Sequence, residues 1–96
     1  MSKRYGIGKE REVRKILERM GYVVTRSSAS LGMFDLIAVN NKRIRLIQVK
    51  ATKSKKVYMN KEELDDIRNF QNYPKFVGAK EIWKWEGRKW NVEGLE

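Results

Sequence analysis

The sequence predicts a single domain of the α/β (mixed α+β) class, in which helices pack on a mixed central sheet. An apolar repeat at helical spacing near the N-terminus precedes several short β-branched segments. Two of these segments flank an asparagine pair, and a second helical repeat separates them from a strand-rich C-terminal region. Segments whose apolar residues repeat at helical spacing, separated by extended segments, are typical of helices packed on a sheet. With 96 residues there is room for one domain, and we expect it to cover residues 1–96.

The first predicted helix covers residues 9–20, and Gly21 is expected to end it, because glycine readily adopts the left-handed conformation that follows a helix. Residues 22–26 predict a short strand, and residues 27–32 form a small polar loop. The apolar positions of the helix repeat at helical spacing: Val13, Ile16, Leu17 and Met20.

A hairpin is predicted from residues 33–39 and 43–50. Residues 40–42 form its turn, since asparagine tolerates the positive φ of tight turns. Both strands are nearly continuously apolar, which indicates a central position covered on both faces. Residues 57–59 are interpreted as a further short strand.

The second helix is predicted from Lys61 to Asn72, with Asn60 as its N-cap, Glu63 as the capping-box partner and Pro74 preventing continuation. Strands are then predicted at residues 75–78, 81–85 and 89–92, with a turn at Gly87-Arg88 between the last two.

Composition excludes several kinds of chemistry. The chain has no cysteine and no histidine, which rules out disulfides, thiolate metal sites, the usual zinc ligands and histidine-dependent nucleophiles. A metal would have to be a hard ion bound through oxygen, such as Mg²⁺ or Mn²⁺. The sequence contains neither a signal peptide nor a membrane-spanning apolar run, so we expect an intracellular, cytoplasmic protein that does not engage a membrane.

The net charge of +10 is distributed unevenly. Residues 1–56 carry 15 Lys and Arg against 4 Asp and Glu, whereas residues 57–96 carry 7 against 8. This asymmetry favours a face that binds a polyanion, with nucleic acid as the expected partner. The alternative is a lysine-rich solvated surface.

The predicted hairpin brings three polar residues together. Its register places Asp35 opposite Gln48, and Lys50 points to the same side as Gln48 because side chains alternate along a strand. Glu10, on the first helix, lies near the edge that faces the sheet. An aspartate and a glutamine oxygen can hold Mg²⁺, and a lysine beside them can orient water or stabilise charge during phosphodiester hydrolysis. Alternatively, Asp35 simply pairs with Lys50 on an exposed face; the apolar strands argue against this, because a buried carboxylate needs a partner.

The chain resembles the PD-(D/E)XK nuclease superfamily and, more narrowly, the archaeal-type Holliday junction resolvases. The resemblance covers nearly the whole chain and rests on five stretches taken in order: Gly8-Lys9-Glu10-Arg11, Gly21-Tyr22-Val23-Val24, Arg26-Ser27-Ser28-Ala29-Ser30, Asp35-Leu36-Ile37-Ala38 and Ile47-Gln48-Val49-Lys50. It implies a restriction-endonuclease-like fold, Mg²⁺ as the metal, and a homodimer that acts on four-way DNA junctions. By the same resemblance Glu10 and Asp35 are the catalytic carboxylates, Lys50 is the catalytic lysine and Ser30 lies near the scissile phosphate.

Two positions depart from the family pattern. Phe34 replaces a proline that is often missing, and Gln48 replaces a glutamate. Because Gln48 removes one negative charge from the metal site, we expect weaker metal binding. Three interpretations therefore stay open: a Holliday junction endonuclease, a nuclease for other branched or duplex DNA, and a DNA-binding relative that does not cut.

Basic residues near these stretches are expected to contact phosphates, which sets affinity and salt sensitivity rather than sequence preference. The tryptophans at positions 83, 85 and 90 are interpreted as core or interface residues, and the acids at the start of the second helix as helix-stabilising. The predicted DNA-binding residues are Lys3, Arg4, Arg11, Arg26, Ser30, Lys53, Lys55 and Lys56.

Overall fold

The fold, obtained as a computed structural model, is described for residues 3–26, 34–69 and 77–95. In this part of the chain five strands form one mixed sheet in the order β1-β2-β3-β4-β5. The parallel pair is β3–β4, and the other neighbours are antiparallel. The predicted fold class is confirmed. The elements are α1 (Lys3–Arg19), β1 (Val23–Arg26), β2 (Leu36–Val39), β3 (Ile44–Ala51), α2 (Lys61–Asn69), β4 (Val77–Glu86) and β5 (Lys89–Leu95).

Helix α1 ends as predicted and begins earlier than predicted. Gly21 has a φ of 93°, and the Tyr22 N–H donates to the Leu17 carbonyl at 3.1 Å, which together close the helix. The predicted start at residue 9 is wrong, since α1 begins at Lys3. Contacts with the sheet region accompany the extra turns: the Tyr5 hydroxyl donates to the Thr52 carbonyl at 3.3 Å.

The predicted hairpin is confirmed in its register. Leu36 pairs with Ile47 and Val39 with Ile44, and the Asn40 side-chain oxygen accepts from the backbone N–H groups of the next turn residues at 2.8 and 2.9 Å. Strand β2 begins at Leu36 rather than at residue 33, which lies outside the described residues. Among the described residues, β3 therefore continues beyond its last ladder partner in β2.

Two predictions for the C-terminal half need correction, and the predicted end of α2 is not tested. Residues 57–59 are not a strand, because the Val57 N–H donates to the Glu86 carboxylate at 2.6 Å instead of to a neighbouring strand. Helix α2 is described as far as Asn69, so its predicted last residues lie outside the described part. The strands predicted around Gly78 are one strand, β4, whose register with β3 shifts by one residue there.

Helices cover the two faces of the sheet, which explains the nearly continuous apolar character of β2 and β3. Because side chains alternate along a strand, neighbouring residues of β3 contribute to different layers. The layer under α1 contains Val13, Leu17, Tyr22, Val24, Leu36, Ala38, Ile47 and Trp83. The layer under α2 contains Phe34, Leu46, Ile67 and Ile82. In the described part of the chain, neither helix is long and apolar enough to cross a membrane.

Candidate active site

The candidate site lies where the ladder between β2 and β3 ends. Beyond the last pair, Leu36 and Ile47, strand β3 continues to Ala51. The Asp35 N–H donates to the Ile47 carbonyl at 2.8 Å, and the Asp35 carboxylate accepts from the Val49 N–H at 2.8 Å. The carboxylate thus accepts a hydrogen bond that a backbone carbonyl of a neighbouring strand would otherwise accept. These two bonds fix Asp35 against the central strand.

Gln48 and Lys50 flank Val49 on β3 and are half-buried. By strand alternation they share the face of Leu46, which is the face covered by α2. The Lys50 ammonium lies 3.5 Å from the Glu63 carboxylate at the start of α2. Sequence reasoning assigned Glu63 only a capping role; its contact with Lys50 depends on how α2 docks, and no local pattern encodes that.

Glu10 approaches the site from α1. Its side chain is 18% exposed and lies 3.3 Å from the Nε of Arg26, which is 63% exposed. Burial raises the pKa of Glu10, the charge of Asp35 raises it further, and Arg26 opposes both effects. Glu10 and Asp35 are therefore close enough to repel each other, although they come from different elements.

The Asp35 environment also disfavours negative charge. Burial raises the pKa of Asp35, while the Val49 N–H and the charges of Lys50 and Arg26 oppose that rise. A carboxyl group whose pKa is raised in the folded protein stabilises the fold at low pH, and this contribution is lost as pH rises through the folded-state pKa. In the ionised state the two carboxylates repel each other in a partly desolvated place, and a bound cation would relieve that repulsion.

The donor set fits a hard divalent ion. Two carboxylates and one amide oxygen are ligands that Mg²⁺ and Mn²⁺ accept. Within residues 3–26, 34–69 and 77–95, no group of three or more Asp, Glu, His or Cys side chains forms a metal cluster. Of the three predicted ligands, the one without a charge is Gln48, and its place in the ligand set stays a prediction.

A cleft of about 210 Å³ lies beside Glu10. Three arginines line the cleft: Arg11, Arg14 and Arg26. All three are exposed, so the cleft is open to solvent. The cleft thus places guanidinium groups, which match the geometry of phosphate, beside Glu10. The place of Arg14 in the cleft follows from its helical spacing with Glu10 and Arg11. The cleft is lined by Ile7, Glu10, Arg11, Arg14, Arg26 and Leu36.

The remaining predicted DNA-binding residues lie in three settings. Lys53, Lys55 and Lys56 are exposed between β3 and α2. Lys3 and Arg4 belong to the first turn of α1, where side chains are not described, and Ser30 lies outside the described residues. Of the three tryptophans, Trp83 is 5% exposed and belongs to the core, as predicted.

The fold and this arrangement define a member of the PD-(D/E)XK nuclease superfamily. The profile of the archaeal Holliday junction resolvase (Hjc) family matches residues 1–94. The chain belongs to this archaeal Holliday junction resolvase family.

One curated relative and one solved structure illustrate the similarity. The crossover junction endodeoxyribonuclease Hjc of Methanocaldococcus jannaschii is 36% identical over 67 residues, which are 70% of this chain and 50% of the relative. The chain thus spans about half the length of that relative. The 1.6 Å structure of Archaeoglobus fulgidus Hjc, described as a Holliday junction resolvase from an archaeal hyperthermophile, superposes with a TM-score of 0.74. It is 22% identical, and the match covers 94% of this chain and 72% of that one, so it supports the fold.

Proposed function

We propose that the protein is a divalent-metal-dependent endonuclease that cuts DNA at four-way junctions. The observation that carries the proposal is the Asp35 carboxylate, fixed against the central strand within electrostatic reach of Glu10 and Lys50. Membership of the Holliday junction resolvase family supports the substrate. DNA phosphodiesters suit a basic chain that has no histidine or cysteine for other hydrolytic chemistry.

In this proposal Glu10, Asp35 and the Gln48 side-chain oxygen hold Mg²⁺, and Mn²⁺ is expected to substitute. When bound, such a metal polarises a phosphoryl oxygen and lowers the pKa of a coordinated water. Lys50 lies within electrostatic reach of Asp35, and in this proposal its ammonium orients the attacking water and stabilises the charge that develops on the phosphate. The Glu63 carboxylate, 3.5 Å away, keeps that ammonium on the α2 side of β3.

The surrounding cations position the DNA. The arginines of the cleft, Arg11, Arg14 and Arg26, offer planar donors that match phosphate geometry. Lys53, Lys55 and Lys56 provide a second phosphate-binding stretch directly after β3. Ser30, by its resemblance to the loop serine of the resolvases, is assigned to the scissile phosphate, and Lys3 and Arg4 are assigned to phosphate contacts by their charge.

Two further features complete the proposal. A homodimer is expected, because a four-way junction requires two symmetric cuts and a two-fold axis supplies two sites at a fixed distance. An intracellular location follows from a DNA substrate.

The test is cutting of a synthetic four-way junction in Mg²⁺ or Mn²⁺, with its component duplex and single strands as comparison substrates. We expect paired symmetric nicks in the junction. Asp35→Asn should lower the cutting rate at least about a hundredfold while leaving junction binding intact. Asp66→Asn, on the exposed side of α2, is the matched control and should cut as the wild type does.

Gln48 favours a second candidate, a protein that binds junctions without cutting them, since it gives the site one negative charge less than a glutamate would. Binding without cutting in either metal between about pH 6 and pH 9 would establish this second function and refute the first. Cutting of plain duplex at the same rate as the junction would instead indicate a nuclease without structural preference.

A further inference from the structure

Tyr58 is the most exposed of the large hydrophobic side chains in the described part of the chain, with 84% of its surface accessible. Its two neighbours are anchored. Val57 is 9% exposed, and its N–H donates to the Glu86 carboxylate at 2.6 Å. Met59 packs against the core layer under α2. The backbone on both sides therefore holds the tyrosine ring outward instead of leaving it on a mobile loop.

The setting of Tyr58 is basic and lies just before the helix that contacts Lys50. Lys53, Lys55 and Lys56 precede it, and the Lys56 ammonium lies 5.9 Å from the centre of its ring. Two residues later Asn60 caps α2 by accepting from the Glu63 N–H at 2.7 Å, and Glu63 contacts Lys50. Tyr58 thus lies on the short connection between the phosphate-binding lysines and the helix that touches the catalytic lysine.

We propose that Tyr58 stacks on a nucleobase exposed at the branch point of the DNA and so contributes to the preference for branched over duplex DNA. The inference rests on the proposed function and adds a recognition residue to the same site. A base inside a duplex is covered on both faces by its neighbours, so an aromatic side chain has no face to stack on. At a branch point, a nick or a strand end, a base face is available, and stacking on it does not depend on base identity.

This assignment separates two contributions to binding. The lysines act on phosphates and should strengthen binding to branched and duplex DNA alike. Tyr58 should strengthen binding only where a base face is open. An exposed tyrosine with no such role would contribute equally little to both substrates.

The first experiment compares the affinities of the full chain for a four-way junction and for its arm duplex, without divalent metal so that no strand is cut. Tyr58→Ala should weaken junction binding by about tenfold and leave duplex binding within about twofold. Tyr58→Phe keeps the ring and should bind both substrates as the wild type does. Lys55→Ala is the matched control, and it should weaken both to a similar extent.

The second experiment detects the contact directly, with the fluorescent base 2-aminopurine placed either at the branch point or in the middle of an arm. Binding of the wild type and of Tyr58→Phe should change the fluorescence of the branch-point probe, and Tyr58→Ala should lose that change. The arm probe should respond identically to all three proteins.

The outcomes distinguish the inference from the function on which it rests. A wild-type protein that neither prefers nor cuts the junction would overturn the proposed function, and this inference with it. A wild type that cuts the junction, together with a Tyr58→Ala variant of unchanged affinity and unchanged branch-point fluorescence, would overturn the inference alone. Equal loss on junction and duplex would also overturn it, because that result identifies a general surface effect.

Discussion

The proposed ligand Gln48 would set the amount of negative charge in the candidate site. Burial and mutual repulsion already raise the pKa of Glu10, and burial raises that of Asp35, so the site resists ionisation when no cation is present. A neutral amide supplies an oxygen donor without adding to this repulsion. The same substitution lowers the attraction for a divalent ion. As a ligand, Gln48 would therefore favour the stability of the metal-free fold over metal affinity.

Gln48→Glu should reverse that balance. At pH 7 and without metal we expect a lower melting temperature than that of the wild type, because a third carboxylate adds repulsion between groups whose ionisation already opposes folding. Added Mg²⁺ or Mn²⁺ should raise the melting temperature more than it does in the wild type. Junction cutting at low Mg²⁺ should be equal or faster.

Asn41→Asp, in the exposed hairpin turn, is the control for this experiment because it changes the net charge by the same amount away from the site. A Gln48→Glu variant that binds metal no better than the wild type would show that residue 48 is not a ligand. A complete loss of cutting would assign the glutamine a role that its oxygen alone does not explain.

At the scale of elements, structure that depends on local signals was predicted well, and structure that depends on long-range contacts was not. The asparagine turn and the alternation of β2 and β3 gave the hairpin register, which is confirmed, and Gly21 and Asn60 marked a helix end and a helix start. The early start of α1 could not be predicted, since its first turns lie before the apolar repeat and have partners such as Thr52 that are distant in sequence.

The candidate site shows the same division. The place of Asp35 against β3, bonded to Val49 and within electrostatic reach of Lys50, follows from hairpin register, which a sequence encodes locally. The contact between Lys50 and Glu63 depends on the position of α2, which is set by packing over a distant part of the chain. The single strand β4 was predicted as two strands, and Gly78, where the first of them was expected to end, lies at the register shift between β3 and β4.

A buried ion pair joins the two parallel strands. The Arg45 guanidinium on β3 donates to both oxygens of Glu81 on β4, at 2.9 and 2.6 Å. The indole N–H of Trp83 donates to the same carboxylate at 2.9 Å. Both charged side chains are about nine-tenths buried. Since Arg45 reaches a residue two positions beyond its own register partner, Ala79, the pair holds the β3–β4 register after the shift.

Glu81→Ala should therefore lower the free energy of unfolding by about 3–5 kcal/mol, because it leaves a buried guanidinium and an indole N–H without their acceptor. The double variant Arg45→Met/Glu81→Leu should be less destabilised than Glu81→Ala, since it removes both buried charges. Glu93→Ala is the matched control: it breaks a more exposed pair with Lys84, worth at most about 1 kcal/mol. Urea unfolding measures all three. A cost below about 1 kcal/mol for Glu81→Ala would show that the register does not depend on this pair.

At the scale of the whole molecule, the excess of positive charge coincides with the candidate site. The first 56 residues, with 15 basic and 4 acidic side chains, supply α1, the arginine-lined cleft and the lysines after β3. The last 40 residues carry 7 basic and 8 acidic side chains and supply α2, β4 and β5. The same part of the chain thus contributes the excess positive charge and most of the candidate site. This distribution is expected when the electrostatic field of the protein attracts a negatively charged substrate.

The salt dependence of DNA binding tests whether that charge contacts DNA. Each phosphate neutralised by the protein releases bound counterions, so the slope of log affinity against log salt concentration reports the number of contacts. The double variant Lys53→Ala/Lys55→Ala should reduce the magnitude of this slope by about 2, on junction and duplex alike. Lys89→Ala removes an exposed lysine from the turn end of β5, in the near-neutral half of the chain, and should leave the slope unchanged. If both variants altered the slope per charge equally, the effect would come from net charge, and the lysines after β3 would lose their assignment as a DNA-contacting stretch. If the lysine pair alone altered it, the loop would be part of the surface on which the phosphate backbone reaches Asp35 and Lys50.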